Sequence, residues 1–253
     1  MITSKRGLAV MSICSAIASM AHAVPVSLTK LTGVTGGAPA ATAVYRADLS
    51  TVGIMDILSL SITDSSGGFG GAAGQFSGFD LDAVILSNSF CATAACAAGL
   101  GGLAVFDYSP AGTIFNEGTQ RAPVDLKLFG SDASGSDVDD SVATLGAFDG
   151  NSTTAIPGAD GFVSMGDLGQ LIFNLTASVS TAGLFLYIGE VGDNGEVAGS
   201  SIEVSDRPVT VPEPPAHALL LAALAGLSWL RPGPRRRSVP VRSGSGTRRA
   251  GSR

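Results

Sequence analysis

Between residues 43 and 205, apolar and polar side chains alternate in short runs separated by turn residues, the period of a half-buried β-strand. Ile57-Leu58-Ser59-Leu60-Ser61-Ile62-Thr63 and Val124-Asp125-Leu126-Lys127-Leu128-Phe129 are clear examples. The pattern predicts strands over 43–51, 55–63, 80–87, 103–108, 113–116, 124–130, 169–177, 183–191 and 201–205. Turn chemistry divides them: Asp64-Ser65-Ser66-Gly67-Gly68, Ser109-Pro110-Ala111-Gly112, Asp149-Gly150-Asn151 and Asp193-Asn194-Gly195. No long stretch keeps a helical period, and Asp139 to Phe148 offers one short helical turn. Many short strands at this spacing predict an all-β chain with a single β-sandwich of jelly-roll type over residues 24–204.

The two ends follow a different pattern. Lys5 and Arg6 precede an apolar run from Gly7 to Met20, and Ala21-His22-Ala23 supplies small side chains at the −3 and −1 positions. This is the grammar of a secretory signal peptide over residues 1–23, threaded through the Sec translocon and cut by signal peptidase before Val24. A membrane anchor or a buried helix is the alternative, and the run is too short and too rich in Ser and Ala for an anchor. Cys14 follows Ile13, where a lipobox requires a small residue.

At the other end, residues 205–211 read as a linker into Pro212-Glu213-Pro214. An apolar stretch over 216–230 comes next, then Arg235-Arg236-Arg237 and a basic, disordered tail over 238–253. Fifteen helical residues span about 22 Å, short of the ~30 Å hydrocarbon core. The arginines beyond them would hold the tail in the cytoplasm. These three elements in order resemble the PEP-CTERM sorting signal, with Pro212, Glu213 and Pro214 matching its signature and Arg235, Arg236 and Arg237 its basic block. The resemblance implies a Gram-negative exported protein processed by exosortase, an integral-membrane transpeptidase-like enzyme. It also implies transient inner-membrane anchoring through a membrane helix at 216–230. The destination it implies is the cell surface or extracellular matrix, in association with exopolysaccharide or biofilm. An ordinary C-terminal tail anchor is the alternative.

Charge sharpens this division. The whole chain carries 15 basic and 21 acidic residues, for a net charge of −6. Between Val24 and Val211, however, five cations (Lys30, Arg46, Arg121, Lys127, Arg207) face twenty acids, while eight arginines follow Leu230. So acidic a body repels nucleic acid and anionic lipid. Both histidines, His22 and His217, lie in the end segments, so the body has no imidazole for general base catalysis, a Ser-His pair or a zinc site. Cys91 and Cys96, the only thiols between the end segments, predict a local disulfide in an exported chain.

The remaining candidate chemistry divides three ways. Gly68-Phe69-Gly70-Gly71-Ala72-Ala73 fits a G-x-G-x-x-A phosphate fingerprint, but more glycine follows where a helix must begin, so a flexible loop is expected. Asp132, Asp137, Asp139 and Asp140, with Ser131, Ser134 and Ser136 between them, offer oxygens to calcium; so do Asp149, Asn151, Thr153 and Asp160. Neither set keeps the EF-hand register, and solvated acidic loops are expected. Glycoside hydrolysis survives without histidine if two carboxyl groups face each other, with Asp80, Asp82, Asp107, Glu190 and Glu196 as candidates. Phe69, Phe76, Phe79, Tyr45, Tyr108 and Tyr187 are the aromatics for sugar stacking, and the body has no tryptophan. Asn151-Ser152-Thr153 and Asn174-Leu175-Thr176 match the N-glycosylation sequon, which carries little weight in a bacterium. The sequence therefore leads to a non-catalytic exported protein with no catalytic residue, metal ligand or cofactor assigned. The alternatives are a lectin-like, calcium-assisted carbohydrate-binding module and a carboxylate-dependent carbohydrate-active enzyme.

Overall fold

A computed structural model of the chain describes residues 23–36, 40–148, 150, 161–196 and 202–210. The chain divides into two compact units, Met1–Val209 and Thr210–Arg253. Apart from Thr210, the second unit lies outside the described residues, as do Ala21 and the predicted signature, apolar stretch and arginines. Among the described residues, no helix is long and apolar enough to cross a membrane.

The first unit is an all-β sandwich of two five-stranded antiparallel sheets. One sheet has the order β1 (Ala23–Pro25), β10 (Ile202–Ser205), β4 (Asp56–Thr63), β8 (Gln170–Ser180), β6 (Thr113–Asn116). The other runs β2 (Thr29–Thr35), β3 (Thr42–Asp48), β9 (Phe185–Val191), β5 (Asp80–Ser87), β7 (Val163–Ser164). Alternation along β4 explains the packing. Leu60 and Ile62 point between the sheets with no more than 1% exposure, against Phe173, Leu81, Leu186 and Ile188. Ser59, Ser61 and Thr63 take the intervening positions, on the opposite face.

β5 is buried at all eight positions because both of its faces are covered. Leu81, Val84 and Leu86 join the core between the sheets. Ala83 and Ile85 meet a second apolar cluster formed with Tyr187, Leu31 and the short helix α1 (Ala94–Ala98). Thr93 caps α1 by accepting from the Cys96 N–H, and Cys91 and Cys96 sit at disulfide distance, Cα to Cα 5.5 Å. The Tyr187 hydroxyl ties this cover down, donating to the Ser89 carbonyl at 2.7 Å and accepting from the Cys91 N–H at 2.8 Å. Arg46 adds a 2.6 Å bond to the Cys91 carbonyl and lies 4.1 Å over the Phe90 ring.

Several expectations are corrected. Residues 124–130 form no strand: Val124 and Leu126 stand 70% and 104% exposed, while Leu128 and Phe129 are buried. Its hydrogen bonds serve a neighbouring loop instead, Phe129 N–H to the Gln75 carbonyl and Gln75 N–H to Asp125. Residues 103–108 contribute only an isolated bridge, Phe106 to Leu175. β1, β2 and β7 were not signalled by the pattern; β2 buries a single side chain, Leu31, as an edge strand allows. Asp139 to Phe148 yields one turn, in which Val142 and Ala143 N–H groups donate to the Asp139 carbonyl. Ser205, expected to open the linker, is the last residue of β10.

Candidate functional site

Two regions at opposite ends of the strands gather the informative side chains. The first is where the chain enters and leaves the sandwich. β1 pairs antiparallel with β10, placing Ala23 opposite Ser205, Val24 opposite Val204 and Pro25 opposite Glu203. The Val26 N–H extends the pairing by donating to the Ile202 carbonyl at 2.8 Å. Beyond Ser205 the chain crosses the outer face of the same sheet. Ser59 on β4 donates to the Arg207 carbonyl at 2.6 Å. Asn174 on β8, across from Ser59 in the strand register, grips Val209 twice: Nδ2 to its carbonyl at 2.9 Å and its N–H to Oδ1 at 2.8 Å. The amide of this sequon asparagine is thus engaged in holding the exit segment.

The second region lies where β4 and β9 end and β5 and β8 begin. Of the five carboxylates proposed for catalysis, it gathers Asp80, Glu190 and Glu196, which are 5%, 0% and 1% exposed. Asp82 is elsewhere, accepting from Thr42 at 2.6 Å, and Asp107 caps a turn by accepting from the Ser109 N–H and hydroxyl. Arg121 is the hub: its Nη2 is 3.3 Å from Glu196, its Nε 3.4 Å from Asp167, and its Nη1 donates to the Gly70 carbonyl. Asp64, also buried, accepts from the Ser66 hydroxyl and from the Leu168 N–H.

Glycine lets the 67–78 segment close over these acids. A Cβ on Gly71, at φ +55°, would stand 1.7 Å from Glu196 Oε1, and one on Gly70 2.6 Å from the Glu196 nitrogen. The segment contains one 3₁₀ turn, Gly74–Phe76, and no α-helix to hold a phosphate.

Buried carboxyl groups resist ionisation. Burial pushes Glu190 up to about 8; the backbone N–H groups of Asp193 and Asn194 offset this in part, but neither oxygen has a well-formed hydrogen bond. Burial also raises Glu196, with the Glu190 charge adding to it and Arg121 opposing it. Asp80 is raised by burial and then by Glu196, against a hydrogen bond from Ser164. Three acids and one arginine thus share this end, with the carboxyl groups favouring their protonated forms.

The other expected sites resolve simply. Asp132 folds its own loop, accepting from the Ser134 hydroxyl and from the Ser136 and Asp137 N–H groups, which lowers its pKa. Asp139 accepts from Ser141 and lies 3.9 Å from Lys127. Among the described residues, no group of three or more His, Cys, Asp and Glu side chains is placed to hold a metal ion. Asp149, Asn151, Thr153 and Asp160 lie outside the described residues. Phe79 and Tyr187 belong to the core, Phe69 is 77% exposed, and Tyr108 is half-buried beside Asp140 in a cleft of about 300 Å³. Sequence reasoning missed Arg121 and Asn174. Arg121 carried a usable signal, being one of five cations among twenty acids. Asn174 carried none, because its role depends on where residue 209 returns.

Comparison of the chain with known protein families, with curated proteins and with solved structures finds no match.

Proposed function

We propose that this is a non-catalytic exported protein, delivered by the Sec route, held in the inner membrane and handed by exosortase to the cell surface or extracellular matrix. Exopolysaccharide is its expected surrounding. The observation that carries this reading is the pairing of Ala23 with Ser205. A domain preceded by a membrane-held leader and followed by a membrane-held sorting segment must return its chain to the side from which it came. Here the expected cleavage point and the start of the exit segment are cross-strand neighbours. Cutting after Ala23 leaves Val24, Pro25 and Val26 to keep the pairing with β10.

The strand order supports a jelly-roll arrangement. Without the flanking β6 and β2, the sheets read β1-β10-β4-β8 and β3-β9-β5-β7, eight strands in two interleaved keys. Burial supports a non-catalytic reading: Asp80, Glu190 and Glu196 are covered by Gly70 and Gly71, so a polymeric substrate cannot reach them in this conformation.

The test is to replace Arg235, Arg236 and Arg237 with glutamate and follow processing by fractionation and blotting. The reading expects loss of membrane retention and of processing; unchanged processing contradicts it. A second reading, a carbohydrate-binding module, draws on the Tyr108–Asp140 cleft. Retention of Tyr108→Ala on a glycan array at the wild-type level would remove it.

A further inference from the structure

The acid-bearing end contains a chemical conflict that sorting does not use. Glu190 and Glu196 come from β9 and the turn after it, Asp80 from β5, Asp64 from the chain after β4, and Asp167 from the turn before β8. Arg121 faces Glu196 and Asp167. Lys30 on β2 is engaged with Asp193, and Tyr45 on β3 faces Glu190, which together with burial disfavours its ionisation. Full ionisation would place five carboxylates around one uncommitted guanidinium, at positions that water reaches poorly.

We propose that the glycine-rich segment 67–78 is a pH-gated cover, closed while Glu190, Glu196 and Asp80 hold their protons and released when mildly alkaline water removes them. The closure is mechanical as well as electrostatic. Gly70 and Gly71 pack directly on Glu196, and the Gly70 carbonyl takes one of the donors of Arg121. When the carboxyl protons pass to solvent, the carboxylates compete with that neutral carbonyl for the guanidinium. Charge-assisted bonds to carboxylate are the stronger partners, so the carbonyl loses. The segment then has little else to hold it: Phe69 is already exposed, and Gly67, Gly68, Gly70, Gly71 and Gly74 have φ between +55° and +80°, so they can rearrange without side-chain strain. Opening lets water hydrate the new charges and uncovers an anionic recess. The burial and mutual repulsion that raise these carboxyl groups place the transition near or above neutral pH.

Hydrogen–deuterium exchange of the full chain near about pH 6 and about pH 9, corrected for intrinsic exchange, tests this. Protection over 67–78 should fall about tenfold for each carboxyl group ionised one unit beyond its pKa, while β4 stays protected. In the Glu190→Gln, Glu196→Gln double variant the segment should stay protected at the higher pH, and Glu203→Gln, on the exposed edge, should behave as wild type. Equal wild-type protection at both pH values overturns the proposal. So does parallel loss in β4, which would mean global unfolding, or opening of the double variant at the higher pH. Should the double variant not fold, Glu190→Gln alone is compared with wild type, and an unshifted transition overturns the proposal.

Discussion

The two ends of the sandwich are held by different physics. Where the chain enters and leaves, the groups are neutral: Ala23 pairs with Ser205, Asn174 grips Val209, Ser59 bonds to Arg207, and Thr181 donates its hydroxyl to the Ile54 carbonyl at 2.7 Å. None of these contacts changes with pH. At the opposite end, three buried carboxyl groups depend on Arg121 and on their own protons. Attachment and adaptability are thus separated by the length of the strands. A domain tethered through one end can alter the other without loosening its tether.

The comparison breaks most sharply at Arg121. Arg121→Met leaves Glu196 and Asp167 without their cation and should lower the unfolding free energy by about 3 kcal/mol near pH 8. Urea titration should show a smaller loss near pH 5, where Glu196 is protonated. Next in size is the pH dependence of the wild type. Glu190 has a folded pKa near 8 against an ordinary 4.5, so between these values the folded chain binds a proton that the unfolded chain lacks. Stability should therefore be full below pH 4.5, fall as pH rises toward 8, and level off above it. Glu190→Gln should flatten its share of that slope.

Removing the disulfide with Cys91→Ser and Cys96→Ser should cost about 2 kcal/mol. Its effect should be the same at pH 5 and pH 8, because the cover formed by α1 packs on Tyr187 and Leu31, away from the acids. The smallest effect is expected of Asn174→Ala, about 1 kcal/mol globally. Faster amide exchange should appear at Val209, the residue it grips, while 67–78 is unchanged.

The fold was legible where alternation and pairing agree. β4 and β9 read correctly because their alternating side chains point into a core on one face, and β5 because a continuous apolar run suits a strand covered on both sides. Residues 124–130 alternate as well as β4 does, yet no neighbouring strand offers a ladder to them, and Leu126 points wholly into solvent. Alternation reports which face a residue prefers; it does not report whether an edge is free to pair. β2 failed for the opposite reason, since an edge strand with only Leu31 buried leaves almost no apolar trace. At the acid-bearing end, Asp80, Glu190 and Glu196 were each recognised as candidates. What assembles them is the bringing together of segments near 70, 80, 121 and 190, a long-range event that local spacing does not encode. The φ angles of Gly70 and Gly71 follow from that assembly.

Mass spectrometry of both termini of the mature protein, recovered from its native host, tests the central claim most directly. Export and sorting predict a chain that begins at Val24 and has lost the residues beyond the Pro212-Glu213-Pro214 region. A cytosolic chain intact from Met1 to Arg253 would contradict the account.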